Sequence, residues 1–66
     1  MRVRVNDQDT EVRDGATITE LLVQLGLSSS RVAIEINTHL VRRADHATTV
    51  LHHEDRIEIV ALVGGG

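Results

Sequence analysis

One segment, residues 17–26, carries the sequence signals for both ends of an α-helix. Thr17 followed by Glu20 has the spacing of a capping box, in which the hydroxyl and the carboxylate satisfy two free backbone N–H groups. Gly26 stands where a left-handed residue would end the helix. Between them, apolar residues recur at the spacing of one helix face: Ile18, Leu21, Leu22 and Leu25. A helix of about two and a half turns covers only one face of a small sheet, so the other face is solvated or covered by a partner.

The segments around this helix alternate apolar and polar residues, which is the pattern of half-buried β-strands. The predicted strands are 1–5, 10–13, 32–36, 40–41 and 56–63. Turn-forming residues at 6–9 join the first two strands as a hairpin. Residues 42–53 are irregular, with one helical turn expected near 44–47. The order hairpin, helix, strand, short strand, strand indicates one α+β domain.

Composition excludes several classes of protein. The chain has no cysteine, so it holds no disulfide, thiolate metal site or thiol nucleophile. It has no aromatic residue, no lysine and a net charge of −3, whereas nucleic-acid-binding proteins usually carry a basic excess. No apolar run approaches the ~20 residues of a membrane helix, and we expect no signal peptide. We therefore expect a cytoplasmic protein that binds neither nucleic acid nor membrane.

Three of the five glycines form the carboxyl-terminal segment Gly64, Gly65 and Gly66. Glycine in this place adds nothing to a core, but a peptide without Cβ atoms can enter a narrow cleft in another protein. A frayed terminus is the alternative, because chain ends are often disordered. We expect a folded domain at 1–63 and a flexible glycine tail at 64–66, whose functional group is the terminal carboxylate.

The last predicted strand has an apolar end. Its residues alternate between charged and apolar up to residue 59, whereas both faces are apolar from residue 60 to residue 63. Because one helix leaves one sheet face uncovered, we predict a partner-docking patch formed by one of two pairs: Val60 with Leu62, or Ala61 with Val63. A central strand buried on both faces is the alternative. A shift of one residue in register exchanges the two faces, so the sequence does not choose between the pairs.

The remaining polar groups are expected at the surface. Arg42 and Arg43 are a candidate contact for an acidic patch on a partner, although such a pair is more often simply exposed. Glu54 and Asp55 are expected to be solvated turn residues. The histidines show no metal-ligand spacing, and we expect surface positions and no metal site for all four: His39, His46, His52 and His53.

Taken together, these features resemble the ThiS family, the sulfur carriers of thiamine thiazole biosynthesis. The resemblance covers the whole chain and includes the hairpin, the capped helix, the run 32–37, the acidic turn before 56–60 and the diglycine end. It implies a β-grasp, ubiquitin-like fold with a mixed four- to five-stranded sheet and one helix packed on one face. ThiS-like chains commonly have glycine between two acidic residues, whereas this chain reads His53-Glu54-Asp55. That departure affects the expected turn geometry and not the tail chemistry.

The resemblance further implies a carrier and not an enzyme. A ThiF-like adenylyltransferase would use ATP to convert the Gly66 carboxylate to an acyl-adenylate. Sulfur from a cysteine-derived persulfide, supplied by a donor such as a cysteine desulfurase, would then form a thiocarboxylate, and thiazole synthase (ThiG) would consume that sulfur. Gly65 and Gly66 match the functional pair of the family, and Gly64 extends it. The carrier itself would bind no cofactor.

Several other functions share part of this pattern. A MoaD-like carrier for molybdopterin has the same fold and tail chemistry, but such chains tend to be longer, with aromatic residues and a proline-rich approach to the diglycine. This chain has no proline and no aromatic residue. Carriers for cysteine, methionine or metallophore pathways are further alternatives. From other classes, the alternatives are a β-grasp interaction module with an inert tail and a protein-conjugating modifier.

Overall fold

The computed structural model describes residues 1–62. Its elements in chain order are β1 (Arg2–Val5), β2 (Gln8–Glu11), α1 (Ile18–Leu25), a 3₁₀ turn (Ser29–Arg31), β3 (Val32–Ile36), β4 (His39–Val41), a second 3₁₀ turn (Arg43–Asp45) and β5 (Arg56–Ala61). The predicted glycine tail at 64–66 lies outside the described residues. The expected helical turn near 44–47 is present one residue earlier than predicted.

The five strands form one mixed sheet in the order β2-β1-β5-β3-β4. The central strands β1 and β5 are parallel, and every other neighbouring pair is antiparallel. Helix α1 connects the first hairpin to β3 and packs on one face of this sheet. The predicted mixed sheet with one helix on one face is therefore confirmed.

Both hairpins turn more tightly than the sequence suggested. Asn6 and Asp7 have φ angles of 49° and 67°, and this two-residue turn lets β2 begin at Gln8 instead of residue 10. The second hairpin uses Asn37 and Thr38 in the same way, with φ angles of 50° and 74°. Two consecutive left-handed residues match the right-handed twist of the flanking strands. The predicted four-residue turn at 6–9 is wrong because its last two residues already pair with β1.

Helix α1 has the predicted ends. Thr17 Oγ accepts a hydrogen bond from the Glu20 N–H at 3.2 Å, and the Thr17 N–H donates to Glu20 Oε1 at 3.1 Å. Gly26 has a φ of 73°, and the Leu27 N–H donates to the Leu22 carbonyl at 2.8 Å, which closes a Schellman motif. No helix among residues 1–62 is long and apolar enough to cross a membrane.

The core lies between α1 and one face of the sheet and consists of small and branched aliphatic residues. The buried members are Val3, Val5, Val12, Ala16, Ile18, Leu21, Leu22, Val32, Ile34, Leu51 and Ile57. Three of them come from the predicted apolar face of the helix, whereas Leu25 at its end is partly exposed. Leu51 comes from the irregular segment before β5, and its N–H donates to the Ala16 carbonyl at 2.8 Å. This bond holds the irregular segment against the start of the helix.

The expected surface position of His46 is wrong. Its exposed fraction is 2 %, so this histidine is buried, unlike the other three. Both ring nitrogens have partners, because Nδ1 lies 3.0 Å from Ser29 Oγ and Nε2 lies 3.3 Å from the Val41 carbonyl. A buried polar side chain with its hydrogen bonds made is tolerated in a core. His39, His52 and His53 are exposed as expected.

Candidate functional site

Strand β5 lies at the centre of the sheet and leads toward the glycine tail. After the strand, the Leu62 N–H donates to the Arg31 carbonyl at 2.8 Å, so the last described residue is still bonded to the chain just before β3. The predicted site residues Val63, Gly64, Gly65 and Gly66 lie outside the described residues. The structure therefore defines the point from which the tail starts.

The end of β5 is also bonded to Asn6, a contact that sequence analysis missed. The Ile59 N–H donates to Asn6 Oδ1 at 2.8 Å, and Asn6 Nδ2 donates to the Ile59 carbonyl at 3.1 Å. Strand β1 ends at Val5. Beyond that point, the side-chain amide of Asn6 bonds to the backbone of β5 in place of a strand. The sequence marks Asn6 only as a turn former, and its partner is 53 positions away.

The sheet face opposite α1, called the open face below, carries no other element among residues 1–62. In β5 the side chains of Ile57 and Ile59 point to the core, so Glu58 and Val60 point to the open face. Val60 lies opposite Ala33 in the register and has an exposed fraction of 60 %, and Leu62 has an exposed fraction of 52 %. Neither residue is part of the core.

The two predicted docking pairs differ in where they lie. Val60 and Leu62 belong to the open face. Ala61 is opposite the buried Val32 and therefore lies on the helix side of the sheet, where it is also exposed at the strand end. Val63 lies outside the described residues. The apolar area of the open face therefore contains Val60 and Leu62, and its role in docking stays a prediction.

The centre of the open face is charged. Glu35 and Glu58 are directly opposite each other in the β3–β5 register, and Arg4 is opposite Arg56 in the β1–β5 register. A shallow depression of about 170 Å³ lies here, lined by Arg4, Asp7, Glu35, Asn37, Thr38, Arg56 and Glu58. This lining is polar and mixed in charge. The apolar area therefore has a charged border on the side away from the tail.

Arg42 and Arg43 follow β4 and are both exposed. The Arg42 Nε lies 3.4 Å from Asp45 Oδ2, and Arg43 begins the second 3₁₀ turn. Their proposed role in partner contact stays a prediction. Among residues 1–62, no group of three or more histidine, aspartate or glutamate side chains has the arrangement of a metal site.

The acidic turn before β5 is more ordered than expected. Glu54 has a φ of 71°, a left-handed conformation that is uncommon for a residue with a Cβ and normal for glycine. Its carboxylate lies 2.7 Å from Arg2 Nη2, and its N–H donates to the Arg2 carbonyl at 2.7 Å. Asp55 accepts hydrogen bonds from the His52 N–H at 2.8 Å and from Asn37 Nδ2 at 3.0 Å. The expectation of a solvated turn carboxylate is confirmed for Glu54, which is exposed although it is paired with Arg2, and is wrong for Asp55, whose side chain is only 12 % exposed.

The ion pair of this turn predicts how stability depends on pH. The hydrogen bond and the charge of Arg2 lower the pKa of Glu54 below its usual value. A carboxyl group of this kind contributes stability that is complete above its unfolded pKa of about 4.3 and is lost as pH falls through the folded pKa. We expect Glu54→Gln to be less stable than the unchanged protein near neutral pH and the two to converge in acid. Urea unfolding at a series of pH values measures this, and a difference independent of pH would contradict it.

One helix packed on a five-stranded mixed sheet with a central parallel pair defines the β-grasp, ubiquitin-like class of domain. The chain belongs to the ThiS family, which it matches over residues 2–66. Its structure is similar to the crystal structure of the thiamine biosynthesis protein ThiS from Geobacter metallireducens, with a TM-score of 0.84, 28 % identity and full coverage of both chains. The solution structure of the Geobacter protein gives a TM-score of 0.80 and covers 88 % of that chain.

The curated relatives include a sulfur carrier protein and two thiazole synthases. The chain is 32 % identical to the sulfur carrier protein ThiS of Escherichia coli over the full length of both. It is also 35 % identical over all 66 residues to a thiazole synthase of Magnetococcus marinus and 33 % identical to one of Paramagnetospirillum magneticum. The chain spans only 20 % of the length of each thiazole synthase.

Proposed function

We propose that this chain is a sulfur carrier for the thiazole of thiamine and that its reactive group is the carboxylate of Gly66. The observation that carries the proposal is the full-length match to the ThiS of E. coli, because the two sequences align through their last residues. The geometry supports it as well. The last strand lies at the centre of the sheet, bonded as far as Ile59 on the β1 side and as far as Leu62 on the β3 side, and Leu62 is four residues from the carboxylate.

The chemistry needs little from the carrier itself. A carboxylate is a poor electrophile because oxide would have to leave. A ThiF-like adenylyltransferase joins the Gly66 carboxylate to AMP from ATP and releases pyrophosphate. The outer sulfur of a cysteine-derived persulfide, such as that of a cysteine desulfurase, then attacks the carbonyl carbon, and AMP leaves. The product is an acyl disulfide. A second thiol attacks the enzyme-side sulfur of this disulfide, which releases the thiocarboxylate and leaves a disulfide between the two thiols. Because the chain has no cysteine, the terminal carbonyl carbon is where sulfur can be carried.

Thiazole synthase is the partner that we propose as the acceptor of the sulfur. The two bacterial thiazole synthases contain a region similar to the whole of this chain within one longer polypeptide. Joining two sequences in one polypeptide keeps them at high effective concentration, which favours transfer between them. In the proposed transfer, the thiocarboxylate of Gly66 reaches the active site of the synthase.

Alkylation after activation tests the proposal. The chain is incubated with an adenylyltransferase of the ThiF type, ATP and a sulfur source, and then with a thiol-alkylating reagent. Since the chain has no cysteine, we expect one label, which fragmentation in the mass spectrometer places on Gly66. Omission of ATP is the control and should prevent labelling.

Two outcomes would overturn the proposal. An unlabelled carrier in the presence of ATP and active enzyme would exclude sulfur transfer to the tail. A chain joined through an isopeptide bond to another protein would instead indicate a conjugating modifier. Oxidation of Met1 changes the mass nearly as much as exchange of oxygen for sulfur, and alkylation avoids this ambiguity.

A further inference from the structure

We propose that His46 is a positioning residue for the glycine tail, acting through Ser29 and the first 3₁₀ turn. This inference rests on the proposed function, in which an enzyme must receive the tail in a defined direction. His46 is far from the tail in sequence, and the activation chemistry requires no imidazole. Its burial and its bonding pattern therefore need another explanation.

His46 is itself held firmly. Its ring is buried, its N–H donates to the Arg43 carbonyl at 3.1 Å, and its own carbonyl accepts from the Thr19 N–H at 3.1 Å. The last bond connects it to the first turn of α1. His46 is thus a fixed point between the helix and the segment that follows β4.

The ring connects this fixed point to the first 3₁₀ turn. The Val41 carbonyl can only accept, so the proton lies on Nε2, 3.3 Å away. In the neutral ring with that tautomer, Nδ1 is the acceptor for the Ser29 hydroxyl, whose Oγ lies 3.0 Å away. Within residues 28–31, Ser29 is partly buried, whereas Ser28, Ser30 and Arg31 are exposed. The Ser29 hydroxyl therefore joins an otherwise exposed turn to the interior.

The same turn holds the base of the tail. Its backbone is closed by the Arg31 N–H, which donates to the Ser28 carbonyl at 2.9 Å. The Arg31 carbonyl in turn accepts from the Leu62 N–H at 2.8 Å. This is the last hydrogen bond of the described chain before the tail. A change in the position of the turn moves the acceptor that fixes Leu62, and four residues extend at most about 14 Å beyond that point.

The substitution Ser29→Ala tests the connection with a small change at a partly buried site. It removes the donor to His46 Nδ1 and leaves the turn sequence otherwise intact. We expect hydrogen exchange at the Leu62 amide to become roughly fivefold faster, as loss of about one hydrogen bond implies. Exchange at the core amides of Ile34 and Ile57 should accelerate by no more than the same factor, because these amides open only when the whole domain unfolds. A Leu62 amide that is not connected to Ser29 would keep its original exchange rate. Ser30→Ala is the matched control, because among residues 1–62 the Ser30 hydroxyl forms a hydrogen bond only with Ser28 Oγ.

Adenylation kinetics supply the second measurement. If only part of the carrier population presents the tail correctly, the apparent KM for the carrier equals the intrinsic KM divided by that fraction, while kcat at saturation is kept. We expect Ser29→Ala to raise KM about fivefold at unchanged kcat, with Ser30→Ala near the unchanged protein. His46→Leu should have the same effect, and adding Ser29→Ala to it should have no further effect, because both changes break one connection.

Two results would overturn the inference. One is faster exchange at Ile34 and Ile57 in Ser29→Ala with an unchanged Leu62 amide, which would show general destabilisation without a connection to Leu62. The other is an unchanged Leu62 amide together with an unchanged KM. If the unchanged chain is not adenylated at all, the proposed function fails, and the exchange measurement still decides whether His46 and Ser29 hold Leu62.

Discussion

Deletion of Gly66 is expected to abolish adenylation and sulfur loading while the domain stays folded. The deletion moves the terminal carboxylate back by about 3.5 Å along an extended chain. Because a displacement of about 1 Å can cost 100-fold in rate, we expect the adenylation rate to fall by at least that factor. The buried core lies within residues 3–57, so the melting temperature should not change. Pyrophosphate release by the adenylyltransferase measures the first effect and circular dichroism the second.

Gly65→Leu tests the same argument without changing the length of the tail. A branched side chain at this position should prevent entry into a cleft that fits a peptide without Cβ atoms, so we expect a comparable loss. Gly65→Ala is the matched control and should lose less activity, since a single methyl group occupies much less space. Normal adenylation of Gly65→Leu would contradict threading of the tail, even if the deletion is inactive.

Local signals made the helix and the overall order of elements predictable. The capping box needs only Thr17 and Glu20, and the helix end needs only Gly26 and its neighbours, so both can be read over a few residues. The hairpin turns were less well predicted, because 6–9 are all turn formers and sequence alone does not choose which two of them take positive φ. Strand β2 therefore begins and ends two residues earlier than predicted.

The features that the sequence did not show depend on residues distant along the chain. His46 is buried because the fold brings Ser29 and Val41 to its two ring nitrogens, and Ser29 lies 17 positions away. The Glu54 turn is similar, since its ion-pair partner Arg2 is 52 positions distant. The tail chemistry was read from the resemblance to a family. The assignment of Val60 and Leu62 to the open face depends on the register of β5, and the sequence does not determine that register.

Val60→Asp is expected to weaken binding of the adenylyltransferase by at least about 30-fold, if the open face is where that enzyme docks. The tail starts four residues after the strand, and four residues span at most about 14 Å, so an enzyme that encloses Gly66 also lies close to Val60 and Leu62. An apolar contact there would bury the new carboxylate without a partner, which is unfavourable. Titration calorimetry or the KM for adenylation measures the loss.

Val23→Asp is the matched control, because it makes the same change on the other side of the molecule. Val23 has an exposed fraction of 73 % on α1, which covers the sheet face opposite to Val60. Both variants add one negative charge and remove one exposed valine, so they differ in location and not in chemistry. We expect Val23→Asp to bind within about twofold of the unchanged protein, as is usual for surface changes outside an interface. Equal loss of binding in the two variants would indicate a general effect of charge. Normal binding of Val60→Asp would show that the adenylyltransferase docks outside the open face.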